Sequence, residues 1–154
     1  MNRRQSLKII AAGAGALLVG HRDLLAFAPK KRMVVYKSPT CGCCTEWIKH
    51  VRAAGYDVTA VDVEDVTPYK KKHGVPLELS SCHTGVVEGY AIEGHVPADL
   101  IDRLLKEKPK HARALAVPGM PVGSPGMEVP GGRKDAYNVM LIDKAGKATV
   151  YAKR

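Results

Sequence analysis

Aromatic residues are scarce in this chain: one tryptophan, one phenylalanine and six tyrosines, 5% of 154 residues. The core must therefore be largely aliphatic, and there is little material for a base-stacking surface. The basic runs Lys30-Lys31-Arg32 and Lys70-Lys71-Lys72 have no aromatic platform between their charges. That excludes a nucleic-acid partner and reads both runs as solvated faces. No apolar stretch reaches the roughly 20 residues that cross a bilayer. Neither a phosphate-cradling glycine loop nor a serine-nucleophile motif occurs. The length excludes a large multidomain enzyme. Acidic residues are also short, 15 against 24 basic, but part of that excess proves to be local.

Four of the basic residues, Arg3, Arg4, Lys8 and Arg22, fall in the first 28 positions, with only Asp23 against them. Asn2 to Lys8 forms a charged leader, Ile9 to Gly20 an uninterrupted run of apolar and small residues, and Ala26-Phe27-Ala28 a small-x-small cleavage site. Paired arginines followed by Leu7-Lys8 resemble a twin-arginine export signal. Residues 1–28 are therefore expected to be an export signal. Residues 29–154 are expected to form one periplasmic domain, with no stable membrane span once the signal is removed.

Within that domain, Arg32 to Tyr36 reads as a β-branched strand and Ser38-Pro39-Thr40 as a turn. Cys44, Trp47, Ile48 and Val51 recur at i, i+3, i+4 and i+7, the apolar face of a helix ending near Gly55. Tyr56 to Val63 reads as a second strand, which makes a βαβ unit with a parallel pair. Thr67-Pro68 is an N-cap and first-turn signal for a short lysine-rich helix stopped by Gly74. Ser80 to Val87 and Tyr90 to Ile92 read as short strands, and Pro97 opens a helix with Leu100, Ile101, Leu104 and Leu105 on its apolar face. Ala116 to Gly132 is a Pro/Gly-rich loop with an internal echo, Pro118-Gly119-Met120 and Pro125-Gly126-Met127. A hairpin from Asn138 to Tyr151 turns at Asp143 to Gly146. The fold class is α/β.

The four cysteines carry the chemistry. Cys41-Gly42-Cys43-Cys44 lies where the first strand hands over to the first helix, and free N–H groups and the positive dipole end favour thiolate there. Cys41 and Cys44 have Cys-x-x-Cys spacing; Cys44 heads the apolar stripe and is expected to be more buried than Cys41. Cys82 is the distant fourth sulfur. In a regular strand it and His83 face opposite sides, so both serve one centre only if the backbone is irregular. With His83, His95 and the thioethers of Met120 and Met127, the thiols form a soft donor set that selects Cu(I). Three readings compete. Soft-metal binding through Cys41, Cys43, Cys44 and Cys82 ranks first. Dithiol exchange ranks second, with Cys41 attacking and Cys44 resolving. A structural zinc site or paired disulfides rank third, because three thiols within four residues make poor staples. Met120 and Met127 have gap-filling packing as their bland alternative, and His95 a hydrogen bond at a helix start. His50, His73 and His111 are expected to be solvated, and Trp47 to be core.

Taken together, Cys41-Gly42-Cys43-Cys44 with Trp47, Ser81-Cys82-His83-Thr84, Gly94-His95-Val96-Pro97 and the stretch Pro118 to Glu128 resemble the CopG-type copper-resistance family, from about Met33 to Tyr151. The resemblance implies a thioredoxin-like mixed sheet flanked by helices. It also implies a role in periplasmic copper handling, with cysteine sulfurs bridging a small copper cluster and histidine help from His83 or His95. Other periplasmic copper-handling proteins are the implied partners. Likeness to thioredoxins further implies a proline loop opposite the Cys-x-x-Cys, for which Val117-Pro118 is favoured over Val75-Pro76. Residues 64–96 are then an insertion carrying Cys82 and His95 to the site. No helix is expected after the final hairpin.

Overall fold

The computed structural model describes residues 30–154. The export segment expected over residues 1–28 lies outside them. Among the described residues, seven strands form a single mixed sheet in the order β2-β1-β3-β4-β5-β6-β7. The strands are β1 Arg32–Lys37, β2 Asp57–Asp62, β3 His83–Val87, β4 Tyr90–Glu93, β5 Ala112–Ala116, β6 Asn138–Asp143 and β7 Ala148–Lys153. The α-helices are α1 Gly42–Ala53, α2 Thr67–Lys72 and α3 Ala98–Glu107, with a 3-10 turn at Leu77–Leu79. No helix among the described residues is long and apolar enough to cross a membrane.

β1 and β2 pair in parallel across α1, as the strand-helix-strand pattern requires. β3 runs antiparallel to β1 and hairpins into β4 through Glu88 and Gly89, both at positive φ, the backbone of a tight two-residue turn. α3 carries the chain from β4 to the parallel β5, and β6 and β7 extend the edge antiparallel. The sheet faces separate by strand alternation. On one face, Trp47, Ile48 and Val51 of α1 and Leu100, Ile101, Leu104 and Leu105 of α3 pack on Met33, Val35, Ile92, Leu115, Val139 and Leu141. A smaller cluster on the other side gathers Val75, Ala91, Ala114, Ala116 and Ile142.

Four expectations are corrected. Residues 64–96 are no insertion: they supply α2, β3 and β4, and the two strands sit in the middle of the sheet. The hairpin beside the cysteines is thus β3–β4, and α3 follows it. Val117-Pro118 is not the segment preceding that hairpin; it continues β5, with the Val117 N–H bonded to the Glu93 carbonyl at 2.9 Å. Strand β5 itself is absent from the sequence reading, since Ala-Arg-Ala-Leu-Ala has no β-branched residue. Thr67 is the first helical residue of α2 rather than its cap, and its N–H is satisfied by the Asp65 carboxylate at 2.8 Å.

His50 is not simply solvated. From α1 its Nε2 accepts the N–H of Ala98 at 3.1 Å, capping the first turn of α3. Burial lowers its pKa from 6.5, against the opposing charges of Glu128 and Asp99. A base whose folded pKa is depressed favours the fold while neutral. Its contribution is complete above about pH 6.5 and is lost as the pH falls below that value. His50→Ala is expected to cost about 1 kcal/mol at pH 7.5 and less at pH 5. Thermal melts at the two pH values check this, and an unchanged gap between wild type and variant contradicts it.

Candidate metal centre

The turn Ser38-Pro39-Thr40 ends on Cys41, which is the N-cap of α1 and offers no side-chain cap of its own. Cys44 is fully buried and Cys41 partly so, as the apolar stripe predicts. Cys41 and Cys44 are joined in a disulfide, while Cys43 and Cys82 are free. Cys43 Sγ lies 3.5 Å from Cys41 Sγ and 3.8 Å from Cys82 Sγ, so the fourth sulfur closes the cluster.

The strand expected over Ser80 to Val87 begins only at His83, and Cys82 sits in the irregular segment before it. That departure lets Cys82 and His83 act on one side: Cys82 Sγ is 3.4 Å from His83 Nδ1 and 3.1 Å from His95 Nε2. Two groups thus share Cys82, one of four cysteines and one of Cys82, His83 and His95. His95 Nδ1 lies 2.8 Å from the Pro125 carbonyl, an acceptor only, so Nδ1 carries the proton. In the neutral ring Nε2 then presents its lone pair to Cys82 Sγ. A metal-ligating histidine is oriented by just this kind of second hydrogen bond.

His83 is fully buried between Trp47, 4.4 Å away between ring centroids, and His95, 5.2 Å away. Its Nε2 has no hydrogen-bond partner. Burial holds its pKa well below 6.5, helped by the Lys70 charge and by the neighbouring His95, beside which a second protonated ring is disfavoured. Burial also lowers His95, against its bond to Pro125 and the Glu128 charge. Both imidazoles are therefore neutral at pH 7 and ready as ligands. Cys82 is opposite in sense: burial, with Cys43 beside it, pushes its thiol up to about 12. A metal taken by Cys82 must displace a proton.

The Pro/Gly loop closes this centre. The Gly119 N–H reaches the Ser80 carbonyl at 3.3 Å, and Ser124 is buried. Gly126, at φ +84°, lies so close to α1 that a Cβ would meet Trp47 N at 2.6 Å and Cys43 O at 2.9 Å. Met120 is 53% exposed and Met127 part-buried on the same loop. Gly126→Ala is expected to lose about 2 kcal/mol and to release His95 from Pro125. Gly131, at φ +87° with open space around it, is the control that carries the φ strain alone. Equal losses in thermal melts of the two variants contradict the close-approach account.

Sequence reasoning missed a second buried cluster. Lys70, read as part of a solvated run, is 3% exposed, and its Nζ lies 2.5 Å from the fully buried Glu93 carboxylate. Thr84 Oγ1 donates to the same carboxylate at 2.7 Å. Burial raises the Glu93 pKa, against the nearby Lys70 charge. Nothing in the local sequence signals a pair 23 residues apart.

Fold and site together describe an α/β protein with a cysteine–histidine cluster, suited to a soft metal ion, at a helix start. Residues 79–127 match a family described as a protein of unknown function, DUF411. No curated protein matches the chain. Two solved structures named copper resistance protein CopG, Form 1 and Form 2, are each 45% identical to it, with a TM-score of 0.76. Each match covers 81% of this chain and 98% of the other. The chain belongs to the CopG copper-resistance protein family.

Proposed function

We propose that this is an exported, periplasmic copper-binding protein of copper homeostasis and resistance, holding Cu(I) as a thiolate-bridged cluster. Cys41, Cys43, Cys44 and Cys82 supply the sulfurs, and His83, His95, Met120 and Met127 complete the donor set. The observation that carries the reading is the position of Cys82. Its sulfur stands 3.8 Å from Cys43 Sγ on one side and 3.1 Å from the unprotonated Nε2 of His95 on the other. Crowded thiolates with imidazole suit Cu(I), and no carboxylate belongs to either ligand group. Full use of the sulfurs requires reduction of the Cys41–Cys44 disulfide by two electrons and two protons. A single domain over residues 29–154 with a thioredoxin-like core is supported by the order β1-α1-β2-α2-β3-β4-α3. Other periplasmic copper-handling proteins are the expected exchange partners.

A second reading is favoured by the same disulfide: a periplasmic thiol–disulfide oxidoreductase in which Cys41 attacks and Cys44 resolves. The two readings, and a structural zinc site, separate on metal preference. Reduced protein offered equal Cu(I) and Zn(II) anaerobically, then desalted, should retain copper in excess. One zinc and no copper would favour the structural site, and neither metal the exchange enzyme.

A further inference from the structure

We infer that Glu93, held by Lys70, is a positioning residue for the metal centre, setting the Cys82 thiol against His95 from the opposite face of the sheet. Nothing in the sequence pattern or the family resemblance assigns it a role.

Three segments build the half of the centre that lies outside α1, and all three meet at Glu93. The first is Ser81-Cys82. A Glu93 carboxylate oxygen accepts the Ser81 N–H at 2.6 Å, fixing the backbone one residue before the thiol. This is the irregular stretch in which no strand ladder holds the chain, so the side-chain acceptor replaces the missing sheet bond. The second is Gly94-His95, which follows Glu93 directly and is held by the Gly94 N–H to the His83 carbonyl at 3.1 Å. The third is the start of the Pro/Gly loop. The Glu93 carbonyl accepts the Val117 N–H at 2.9 Å, and Ser81 Oγ donates to the Gly119 carbonyl. These segments are packed without slack: a Cβ on Gly94 would meet Ser81 Oγ at 2.6 Å and the Val117 carbonyl at 2.7 Å.

Burial alone does not explain the pair. Replacing a buried ion pair by apolar side chains of similar volume is often neutral or stabilising, so a purely structural role could be filled more simply. What an apolar pair cannot do is accept the Ser81 N–H. Lys70 serves that end by orienting the carboxylate, with Thr84 on its other oxygen. Outer partners of this kind typically change metal affinity by about 10–100-fold.

The test compares two double variants of the reduced protein, both lacking the ion pair. Lys70→Met/Glu93→Gln keeps an amide oxygen for the Ser81 N–H; Lys70→Met/Glu93→Leu does not. The first readout needs no copper: the rate at which a small alkylating agent labels Cys82, with Cys43 as the internal reference. The Leu variant should change the Cys82-to-Cys43 ratio several-fold, and the Gln variant should restore it. The second readout rests on the copper reading: in an anaerobic competition against a Cu(I) chelator, the Leu variant should bind about tenfold more weakly or worse than the Gln variant. Wild-type and Gln protein that bind no Cu(I) would overturn the copper reading but leave the alkylation result standing. Equal labelling ratios in the two folded variants would overturn the positioning role, whatever the copper result. If the Leu variant does not fold, hydrogen exchange of the wild-type Ser81 amide decides. Protection comparable to the β3 amides supports the anchor, and exchange at the rate of an open loop overturns it.

Discussion

Cys82→Ser should weaken Cu(I) binding by about 100-fold or more, the largest single effect expected at this site. The substitution removes the one atom common to both ligand groups, the four sulfurs and the Cys82-His83-His95 set. What is left is Cys43, the Cys41–Cys44 pair and two imidazoles whose shared neighbour has become a hard hydroxyl. Losing an outer partner of a metal ligand already costs about 10–100-fold, so losing the proposed bridging thiolate belongs at or beyond the upper end. The loss should be accompanied by a change in proton release. Cys82 is the thiol pushed up to about 12, whereas His83 and His95 are depressed and neutral. Protons set free on loading therefore come from sulfur, and wild-type affinity should rise with pH from 6 to 9, with little inflection near 6.5. Chelator competition across that range measures both points. A variant within a few-fold of wild type would contradict the assignment of Cys82.

Trp47→Ala should lower stability by about 3–5 kcal/mol, or roughly 11–19 °C in the melting midpoint for a domain of this size. Trp47 is fully buried, lies on the α1 face that joins the main core, and donates its indole N–H to the Val96 carbonyl at 2.9 Å. Truncation leaves a cavity and also strands that carbonyl. It also removes the ring face against which His83 rests, so copper affinity should fall even where the variant remains folded. Denaturant unfolding at fixed redox state reads the first effect. A loss under 1 kcal/mol would mean that the α1–sheet contact is not the main support of the centre.

The readable parts of this protein were those in which local pattern and tertiary role coincide. The i, i+3, i+4, i+7 stripe of α1 was legible because its apolar face is also its buried face. The Cys-x-Cys-Cys cluster was legible because its chemistry is local to one helix start. The Asn138 to Tyr151 hairpin was legible because its turn is closed locally, with the Asp143 carboxylate accepting the N–H groups of Ala145 and Lys147. Strand β5 was hidden because five residues dominated by alanine take their strand character from β4 and β6 on either side, not from propensity. Lys70 was misread because a lysine run looks alike in water and against a buried carboxylate. The misplaced insertion had a single cause: the downstream hairpin was more conspicuous than β3–β4, whose five- and four-residue strands carry the site. Cys82 and His83 lie together because the strand starts one residue after the thiol, a boundary that sequence pattern does not fix.

The central claim is most directly tested by anaerobic titration of fully reduced protein with Cu(I), with metal analysis of the product and an insulin-reduction assay on the same sample. The account predicts at least one tightly held copper per chain, with thiolate-to-copper absorption growing until the cysteines are consumed, and little insulin reduction. Less than one copper per chain alongside efficient insulin reduction would contradict it.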